Sequence, residues 1–351
     1  MFICQKAAVR KERKCACLKR FIIMCICLWG LSYIIPYLAL NNVKGDIPQL
    51  PIPTAAPEKE AENLSDKAVG VTLNNNGKIE EIPLDEYLCG VVAAEMPALF
   101  PDEALKAQAV AARTYTMKRI AAAPAAEHGG AAVCSNPSHC KAYKPLASFA
   151  ASWDTSAEEY SSKIMRAVRD TDGEVVLYNG EPITAVFHST SAGKTENSAD
   201  VWGGNVPYLV SVESPGEEAS PRFEEEKELA PAEFKETFLK KYAAADFDIN
   251  PENWITNISR SDAGGVKSIN IAGVSVKGSD VRSLFGLNST NFTIRYDDGK
   301  MKIKTRGYGH GVGMSQYGAR AMALEGKNYE EILLKYYTGT QLGKISEKAS
   351  S

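Results

Sequence analysis

The feature that most constrains this chain is a run of twenty residues without a charge, from Phe21 to Leu40. A run of that length can cross a bilayer as a helix. Residues 6–20 before it carry seven basic residues and one acid, Glu12, and a basic flank of this kind stays in the cytoplasm. We therefore expect a cytoplasmic tail over 1–20, a single-pass transmembrane helix over 21–40, and an extracytoplasmic remainder.

The alternative for this segment is a cleaved signal peptide. The apolar run is long for a signal peptide, and no clear small-x-small cleavage site follows it, so an uncleaved anchor is favoured. The formal net charge of −3 and the lack of a basic block after residue 20 argue against nucleic acid as a partner.

Composition divides the remaining chain into a spacer and a globular region. Residues 41–66 are rich in Pro, Ala and Glu, which is typical of a linker. Residues 67–342 mix strand and helix patterns, and residues 343–351 form a short tail. Within the globular region, the sequence pattern changes over 216–300, which indicates a second lobe inserted into the first. The predicted fold class is α+β: a single-pass transmembrane helix followed by a two-lobed extracytoplasmic mixed α/β domain.

Local patterns predict elements in two places that matter below. Gly173–Tyr178 and Ile183–His188 are typical of paired strands around the Asn179-Gly180 turn. The acidic stretch Phe223–Glu226 is interpreted as the approach to a helix near Ala232–Tyr242.

Glu95 is a lone carboxylate at the apolar end of a predicted helix, two residues before Pro97. Because the residue before a proline disfavours helical geometry, we expect the helix to end near Glu95. The helix dipole and the apolar surroundings both raise the pKa of a carboxyl placed there. General acid catalysis requires a carboxylic acid that stays protonated near neutral pH. An exposed helix-terminal Glu without a chemical role is the alternative.

A cluster of metal-type ligands lies between residues 128 and 140. His128, Cys134, His139 and Cys140 comprise two of the four histidines in the chain and two of the three cysteines beyond the anchor. Two Cys and two His form a closed tetrahedral zinc set, so the pattern predicts one structural zinc ion. The spacing differs from that of a standard zinc finger. A Cys134–Cys140 disulfide, plausible outside the cell, and free thiols are the alternatives.

Two polar motifs are typical of sugar recognition. The first, Phe187–Glu196, is rich in hydroxyl groups and leads to Trp202; its Gly193-Lys194-Thr195 imitates a phosphate-binding loop, but His188 occupies the position of a required glycine. The second, Arg306–Ala319, has four alternating glycines that allow the backbone to approach a ligand closely, without the setting of a dinucleotide-binding loop. Plain surface loops are the alternative for both motifs.

Four ordered segments resemble the stage II sporulation protein D family of endospore-forming bacteria, which shares a domain with amidase-enhancer proteins. The segments are Glu86–Pro97, Glu103–Tyr115, His188–Thr195 and Gly307–Ala319, and the resemblance covers nearly all of 67–342. It implies a murein lytic transglycosylase that cuts peptide-free glycan strands at MurNAc–GlcNAc bonds, leaves a 1,6-anhydro product, and serves septal wall degradation and forespore engulfment.

The catalytic acid of that family maps onto Glu95. The residues expected around the glycan come from the family segments and the two polar motifs, and they are Arg113, Tyr115, His188, Ser189, Ser191, Trp202, Tyr308, His310, Ser315, Gln316 and Tyr317. Glu103, the nearest candidate for a second carboxylate, is interpreted as a helix cap.

The resemblance also implies partners: a sporulation amidase-endopeptidase and a membrane scaffold protein of the engulfment complex. It would place the catalytic domain in the septal intermembrane space, held by the cell membrane. The main alternative function is a non-catalytic, membrane-anchored glycan-binding module that activates a cell-wall amidase; a structural scaffold is the weaker alternative.

Overall fold

The computed structural model describes residues 64–122 and 126–345. The predicted tail over 1–20, the predicted transmembrane helix over 21–40 and nearly all of the predicted linker lie outside these residues, as do residues 346–351. No helix in the described ranges is both long enough and apolar enough to cross a membrane.

The two ends of the described region meet through backbone hydrogen bonds. The N–H of Leu64 donates to the carbonyl of Ile345 at 3.2 Å, and the N–H of Ile345 donates to the carbonyl of Gly173 at 2.8 Å. Residues 64–66 of the predicted linker and 343–345 of the predicted tail therefore pack with the globular region. The other domain boundaries stay predictions.

The structure is a mixture of helices and strands, as the predicted α+β class requires. The α-helices of the described residues are α1 (Leu84–Glu95), α2 (Asp102–Ile120), α3 (Ala150–Trp153), α4 (Ala157–Arg169), α5 (Ser198–Trp202), α6 (Pro231–Leu239), α7 (Gly278–Phe285), α8 (Gln316–Leu324) and α9 (Tyr329–Tyr336).

The strands are short and form several small sheets. They are β1 (Gly70–Asn75), β2 (Lys78–Pro83), β3 (Val133–Cys134), β4 (Glu174–Tyr178), β5 (Glu181–Pro182), β6 (Phe187–His188), β7 (Glu224–Leu229), β8 (Ile255–Arg260), β9 (Val266–Ile271), β10 (Val274–Lys277), β11 (Phe292–Asp297), β12 (Lys300–Arg306), β13 (Met314–Ser315) and β14 (Gln341–Lys344). The sheet orders are β2-β1-β3, β14-β4-β5, β13-β6, β10-β9-β8 and β11-β12-β7.

Helix α2 is the centre of the first hydrophobic core. It contacts α1, α4, α8, α9 and β4, and its alanines are buried along almost its whole length. Small side chains let several elements approach one helix closely, which explains why this helix lacks a single apolar face. Its acids Asp102 and Glu103 begin the helix and its bases Lys118 and Arg119 end it, in the orientation that the helix dipole favours.

A second, separate set of buried apolar side chains lies between Leu229 and Ile303. It packs sheets β10-β9-β8 and β11-β12-β7 with helices α6 and α7. Most of it falls within the segment 216–300, whose role as a second lobe stays a prediction.

The predicted hairpin after residue 173 is only partly correct. Strand β4 does turn at Asn179-Gly180, but its partner β5 has two residues. Residues Phe187–His188, predicted to continue that hairpin, instead pair in parallel with Met314–Ser315. The chain has left the first sheet to meet a segment far along the sequence, which local patterns do not reveal.

The acidic stretch that begins at Glu224 is a strand. Strand β7 pairs along its length with the basic strand β12, and Glu224 and Glu228 form ion pairs with Lys304 and Lys300. The run of acids is therefore stabilised by opposite charges across the sheet. The helix predicted near Ala232–Tyr242 is present as α6 (Pro231–Leu239), whereas the strand formed by the acidic stretch before it was not predicted.

Candidate functional site

Glu95 is the last residue of α1. The helix ends as predicted, with Met96 extended at φ −128° and ψ 135° ahead of Pro97. The Glu95 Oε1 atom accepts a hydrogen bond of 2.7 Å from the backbone N–H of Ala142. The loop that follows the predicted metal ligands thus holds one oxygen of this carboxyl.

Burial raises the pKa of Glu95 above its ordinary value of 4.5. The Ala142 N–H and the charge of Lys141 act in the opposite direction, but burial outweighs both. The direction agrees with the one predicted from the helix end and its apolar neighbours. Glu95 therefore keeps its proton to a higher pH than an exposed carboxyl, as a general acid must.

Glu95 lines a groove of about 750 Å³. The groove is formed by the end of α1, residues from the loops 137–141 and 220–222, and parts of both polar motifs. Glu95 is the only Asp or Glu among its lining residues. The predicted catalytic and glycan-contacting residues that line it are Glu95, His188, Ser189, Tyr308, His310, Gln316 and Tyr317.

The parallel pair of β6 and β13 brings the two polar motifs together. Beyond it, the N–H groups of Thr190 and Tyr308 each donate to the other's carbonyl, at 3.1 and 2.7 Å. The glycine run permits this approach: Gly313 has φ 74°, and a Cβ there would overlap the carbonyl oxygen of Val186. The close contact seen at Gly313 is with the protein's own backbone, and the approach of these glycines to a ligand stays a prediction.

The two histidines of the groove are neutral. Burial lowers the pKa of His188 to about 4 and that of His310 to about 3. His188 Nδ1 lies 3.2 Å from the carbonyl of Val312 and donates to it in the neutral form, whereas His310 Nδ1 accepts from the Val312 N–H at 3.1 Å. The His310 ring centroid is 5.2 Å from that of Trp202. The site therefore offers uncharged hydrogen-bonding groups beside aromatic rings.

Lys141 is a groove residue that the sequence did not single out. It is 6% exposed, and its Nζ lies 3.6 Å from the ring centroid of Phe187 and 4.6 Å from that of Tyr115. Burial lowers its pKa to about 8. Its one signal in the sequence was its position directly after Cys140, a predicted metal ligand.

Arg222 also lines the groove and was also missed. Its guanidinium carbon lies 4.8 Å from the ring centroid of Tyr308. In the sequence it is a lone cation between the acids 217–218 and 224–226, a pattern that by itself suggests a surface loop.

Arg113 does not reach the groove, so the expectation that it contacts the glycan is corrected. It is completely buried. Its guanidinium donates to the Asp66 carboxylate at 2.7–2.9 Å and to the carbonyl of Val168 at 3.1 Å. Arg113 therefore fastens the start of the domain to its helical core.

Four other predicted contact residues lie behind or beside the groove. The Tyr115 ring packs against Lys141, whose Nζ lies 4.6 Å from the ring centroid, and Ser315 Oγ caps α8 by accepting from Gly318 N–H at 3.2 Å. Ser191 Oγ donates to the buried Glu217 at 2.8 Å. These three support the walls, whereas Trp202 is 52% exposed next to His310.

The four predicted metal ligands come together. One donor atom from each of His128, Cys134, His139 and Cys140 lies within 4.8 Å of the others. His128 Nε2 is 2.7 Å from His139 Nδ1 and 3.3 Å from the Cys140 sulfur, and the Cys134 sulfur is 3.7 Å from His139 Nδ1. The two cysteines are not joined by a disulfide. The cluster could hold a metal ion.

The second nitrogen of each histidine supports that assignment. His128 Nδ1 lies 3.2 Å from the carbonyl of Ala131, and His139 Nε2 lies 2.9 Å from Oε2 of Glu127. Metal-bound histidines usually donate their other N–H to a carbonyl or carboxylate, which fixes the tautomer and the ring. The nitrogens that face the two sulfurs are then the ones free to bind a metal.

Known proteins are similar in sequence to this chain over most of its length. The SpoIID family model, described as Stage II sporulation protein, matches residues 73–178. The chain is 37% identical to Stage II sporulation protein D of Bacillus subtilis (strain 168), over 93% of this chain and 96% of that protein. It is also 37% identical to Stage II sporulation protein D of Bacillus amyloliquefaciens, over 79% of each chain. The Amidase enhancer of Bacillus subtilis (strain 168) is 32% identical, over 73% of this chain and 40% of that protein.

The matched segment carries Glu95 and all four residues of the His/Cys cluster. Together with the two relatives at 37% identity, this match places the chain among the stage II sporulation proteins. More narrowly, it belongs to the stage II sporulation protein D family.

Proposed function

We propose that this protein is a peptidoglycan lytic transglycosylase in which Glu95 is the single catalytic acid and base. The observation that carries the proposal is the setting of Glu95, the only carboxylate lining the groove, with a pKa raised by burial. Glycosidases that use water normally place two carboxylates across the scissile bond. A groove with one carboxylate is better suited to a substrate that supplies its own nucleophile.

The reaction needs one proton to leave Glu95 and one to return. Because Oε1 accepts the Ala142 N–H, the carboxyl proton sits on Oε2. Oε2 gives that proton to the bridging oxygen as the bond to C1 of MurNAc breaks, and the bonding electrons leave with that oxygen. The MurNAc 6-hydroxyl oxygen then bonds to C1 while its proton returns to Glu95. The product carries a 1,6-anhydro end, and no water is consumed.

A glycan substrate is supported by the chemistry of the groove walls. His188 and His310 are neutral, and Ser189, Gln316 and Tyr317 add polar side chains. Such groups exchange hydrogen bonds with sugar hydroxyls without a charge to neutralise. The Tyr308 ring offers an apolar face for a pyranose.

The alternative is a non-catalytic glycan-binding module that activates a cell-wall amidase. The relative named Amidase enhancer favours it. Under this alternative the groove binds a strand and Glu95 transfers no proton.

Mass spectrometry of peptide-free glycan strands incubated with the full-length protein tests the proposal. Wild type should release anhydro-ended fragments, and Glu95→Gln should lower the rate at least about a thousandfold, because the amide cannot give or take the proton. Glu103→Gln is the matched control, since Glu103 lies outside the groove and bonds Lys106 and the Tyr329 N–H. Fragments with free reducing ends would mean hydrolysis. Equal binding without cleavage by wild type and Glu95→Gln would favour the activator.

We further propose that the His/Cys cluster holds one structural zinc ion. Two thiolates and two imidazoles complete four-coordinate zinc and leave no open position for catalysis. The ligands would fasten the loop that carries Lys141 and Ala142, which is the loop that holds Glu95.

The setting in the cell is proposed from the sequence. The uncharged run Phe21–Leu40 would anchor the protein in the cell membrane, with the groove in the septal space between the two membranes. There the protein would act in engulfment with an amidase-endopeptidase, which removes stem peptides, and a membrane scaffold protein.

A further inference from the structure

The groove presents two cations, Arg222 and Lys141, that form no ion pair within the described residues. Its only acid, Glu95, has a raised pKa. With Glu95 protonated, as the first chemical step requires, the groove is positively charged. A neutral polysaccharide does not need this charge, so it indicates an anionic group on the ligand.

Arg222 forms no ion pair within the described residues, and two of the acids that follow it in the sequence are engaged with other side chains. Glu224 binds Lys304 at 2.8 Å and Arg306 at 3.2 Å. Glu225 accepts from the side chain of Asn288 at 2.6 Å. The guanidinium of Arg222 therefore keeps its donors available at the groove.

The position of Arg222 is fixed on two sides. Its backbone N–H donates to Ser220 Oγ at 3.2 Å, and its guanidinium lies over the Tyr308 ring. Stacking on an aromatic face orders the planar guanidinium and leaves its edge free for a carboxylate. A ring on which a sugar could rest is thus next to a group that binds an anion.

Lys141 is an independent sign of an anionic ligand. Its side chain is buried, yet its Nζ has no hydrogen-bond acceptor within the described residues and rests on the faces of Phe187 and Tyr115. With Glu95 protonated, no carboxylate of the groove balances this buried ammonium, which is unfavourable. A negative group in the groove would relieve this.

We propose that Arg222 binds the free lactyl carboxylate of a MurNAc unit, with Lys141 as the second cation, and so selects strands whose stem peptides have been removed. This inference rests on the proposed function. The lactyl group of MurNAc ends in a carboxylate when the peptide is absent and in a neutral amide when it is present. A guanidinium pairs with two carboxylate oxygens through parallel N–H donors, whereas an amide offers it one neutral oxygen and a bulky substituent.

Binding measurements on full-length Glu95→Gln protein, which retains the ligand uncut, test this by calorimetry. Three probes of equal length are compared: a peptide-free GlcNAc–MurNAc oligosaccharide, the same compound with its lactyl carboxylates converted to methylamides, and a chitooligosaccharide. We expect the carboxylate form to bind about tenfold more tightly than the methylamide, because a hydrogen-bonded charge pair is worth about that factor.

Adding Arg222→Gln should remove most of this preference, because it should weaken binding of the carboxylate form much more than binding of the chitooligosaccharide. Arg222→Lys should keep part of it, because lysine retains the charge without the two-donor edge. Arg295→Gln is the matched control, since Arg295 is an exposed arginine of β11 outside the groove. The inference is overturned if Arg222→Gln weakens all three probes equally, or if the carboxylate preference is absent or survives the change.

Cleavage by wild type is scored separately, so the two proposals fail in different ways. If wild type cuts nothing while the preference depends on Arg222, the transglycosylase proposal fails and the carboxylate site stands. If wild type cuts, and Arg222→Gln leaves the preference intact, the carboxylate site fails and the transglycosylase stands.

Discussion

The backbone N–H of Ala142 donates a 2.7 Å hydrogen bond to the side chain of Glu95. This bond joins the end of the first long helix to the residue two positions after Cys140, a member of the His/Cys cluster. It favours the ionised carboxyl, while burial of the same side chain favours the protonated one. The carboxyl is therefore held in one orientation with a raised pKa, and the ionised form keeps a hydrogen bond, as the proposed loss and return of a proton requires.

Cleavage should fall as the pH rises through the pKa of Glu95. That pKa is raised by burial, so the protonated, active form persists above the range of an ordinary carboxyl, and kcat/KM then drops by about tenfold per pH unit. Lys141 lowers the pKa of Glu95. Lys141→Gln should therefore move the falling limb to higher pH.

Profiles of kcat/KM against pH for wild type and Lys141→Gln check this shift. Lys240→Gln serves as control because Lys240 is exposed, outside the groove, and follows α6. If the falling limb of the Lys141→Gln profile stays in place or moves to lower pH, Lys141 does not act on the charge of Glu95.

Gly90→Ala should slow glycan cleavage while causing only a moderate loss of stability. A Cβ at Gly90 would lie 2.5 Å from the carbonyl oxygen of Lys144 and 2.5 Å from the Tyr143 ring. The segment 143–144 must then move away from α1, and Ala142 is attached to it. We expect at least about a tenfold loss of cleavage and a loss of about 1–3 kcal/mol in the free energy of unfolding, as is usual for overpacking.

Urea unfolding and the cleavage rate measure both effects of Gly90→Ala. Gly204→Ala is the matched control, because a Cβ at Gly204 meets no atom within 4 Å. Full activity in well-folded Gly90→Ala protein would contradict the role of this close packing in placing Glu95.

Purified full-length protein should contain one zinc ion per chain by elemental analysis. Cys134→Ser should remove most of it, because the thiolate is the stronger zinc ligand, and should lower the melting temperature, since metal binding stabilises the folded state. Cys89→Ala is the control: Cys89 is buried outside the cluster, and burial raises the pKa of its thiol to about 12. Unchanged zinc in Cys134→Ser would rule out this ligand set.

Arg113→Met should destabilise the protein while leaving KM for glycan unchanged. The change leaves the buried Asp66 carboxylate without its ion-pair partner. Removing one side of a buried ion pair typically lowers the free energy of unfolding by about 3–5 kcal/mol. The double variant with Asp66→Asn should lose less than the sum of the two single changes. Chemical unfolding gives the energies, and a raised KM in folded Arg113→Met protein would restore the glycan contact expected from the sequence.

Local rules predicted what depends on neighbours in the chain. The end of α1 at Glu95 follows from Pro97, and the His/Cys cluster follows from four ligand-type residues in thirteen positions. Sequence reasoning failed where a distant partner decides the structure. Strand β7 exists because basic β12 lies beside it, and nothing within the acidic stretch itself signals that partner.

The same limit applies to the groove. Arg113 occurs in a family segment and was assigned to the glycan, but its burial depends on Asp66, 47 residues earlier. Lys141 and Arg222 have unremarkable neighbours in the chain, and only the folded protein shows that they share a groove with Glu95. Residue type predicted the chemistry of the site better than it predicted which side chains face the ligand.

The pairing of Phe187–His188 with Met314–Ser315 has a consequence for the order of folding. The hydrogen bond between His188 and Val312 closes a loop of 124 residues, and contacts so far apart form slowly. While the chain is being synthesised, α1 and its acid can pack long before residue 312 exists, whereas the opposite wall cannot. We expect pulsed hydrogen exchange to protect α1 before β6, so that the nascent chain carries its acid but stays inactive until residues 312–315, near the end of the chain, have been made.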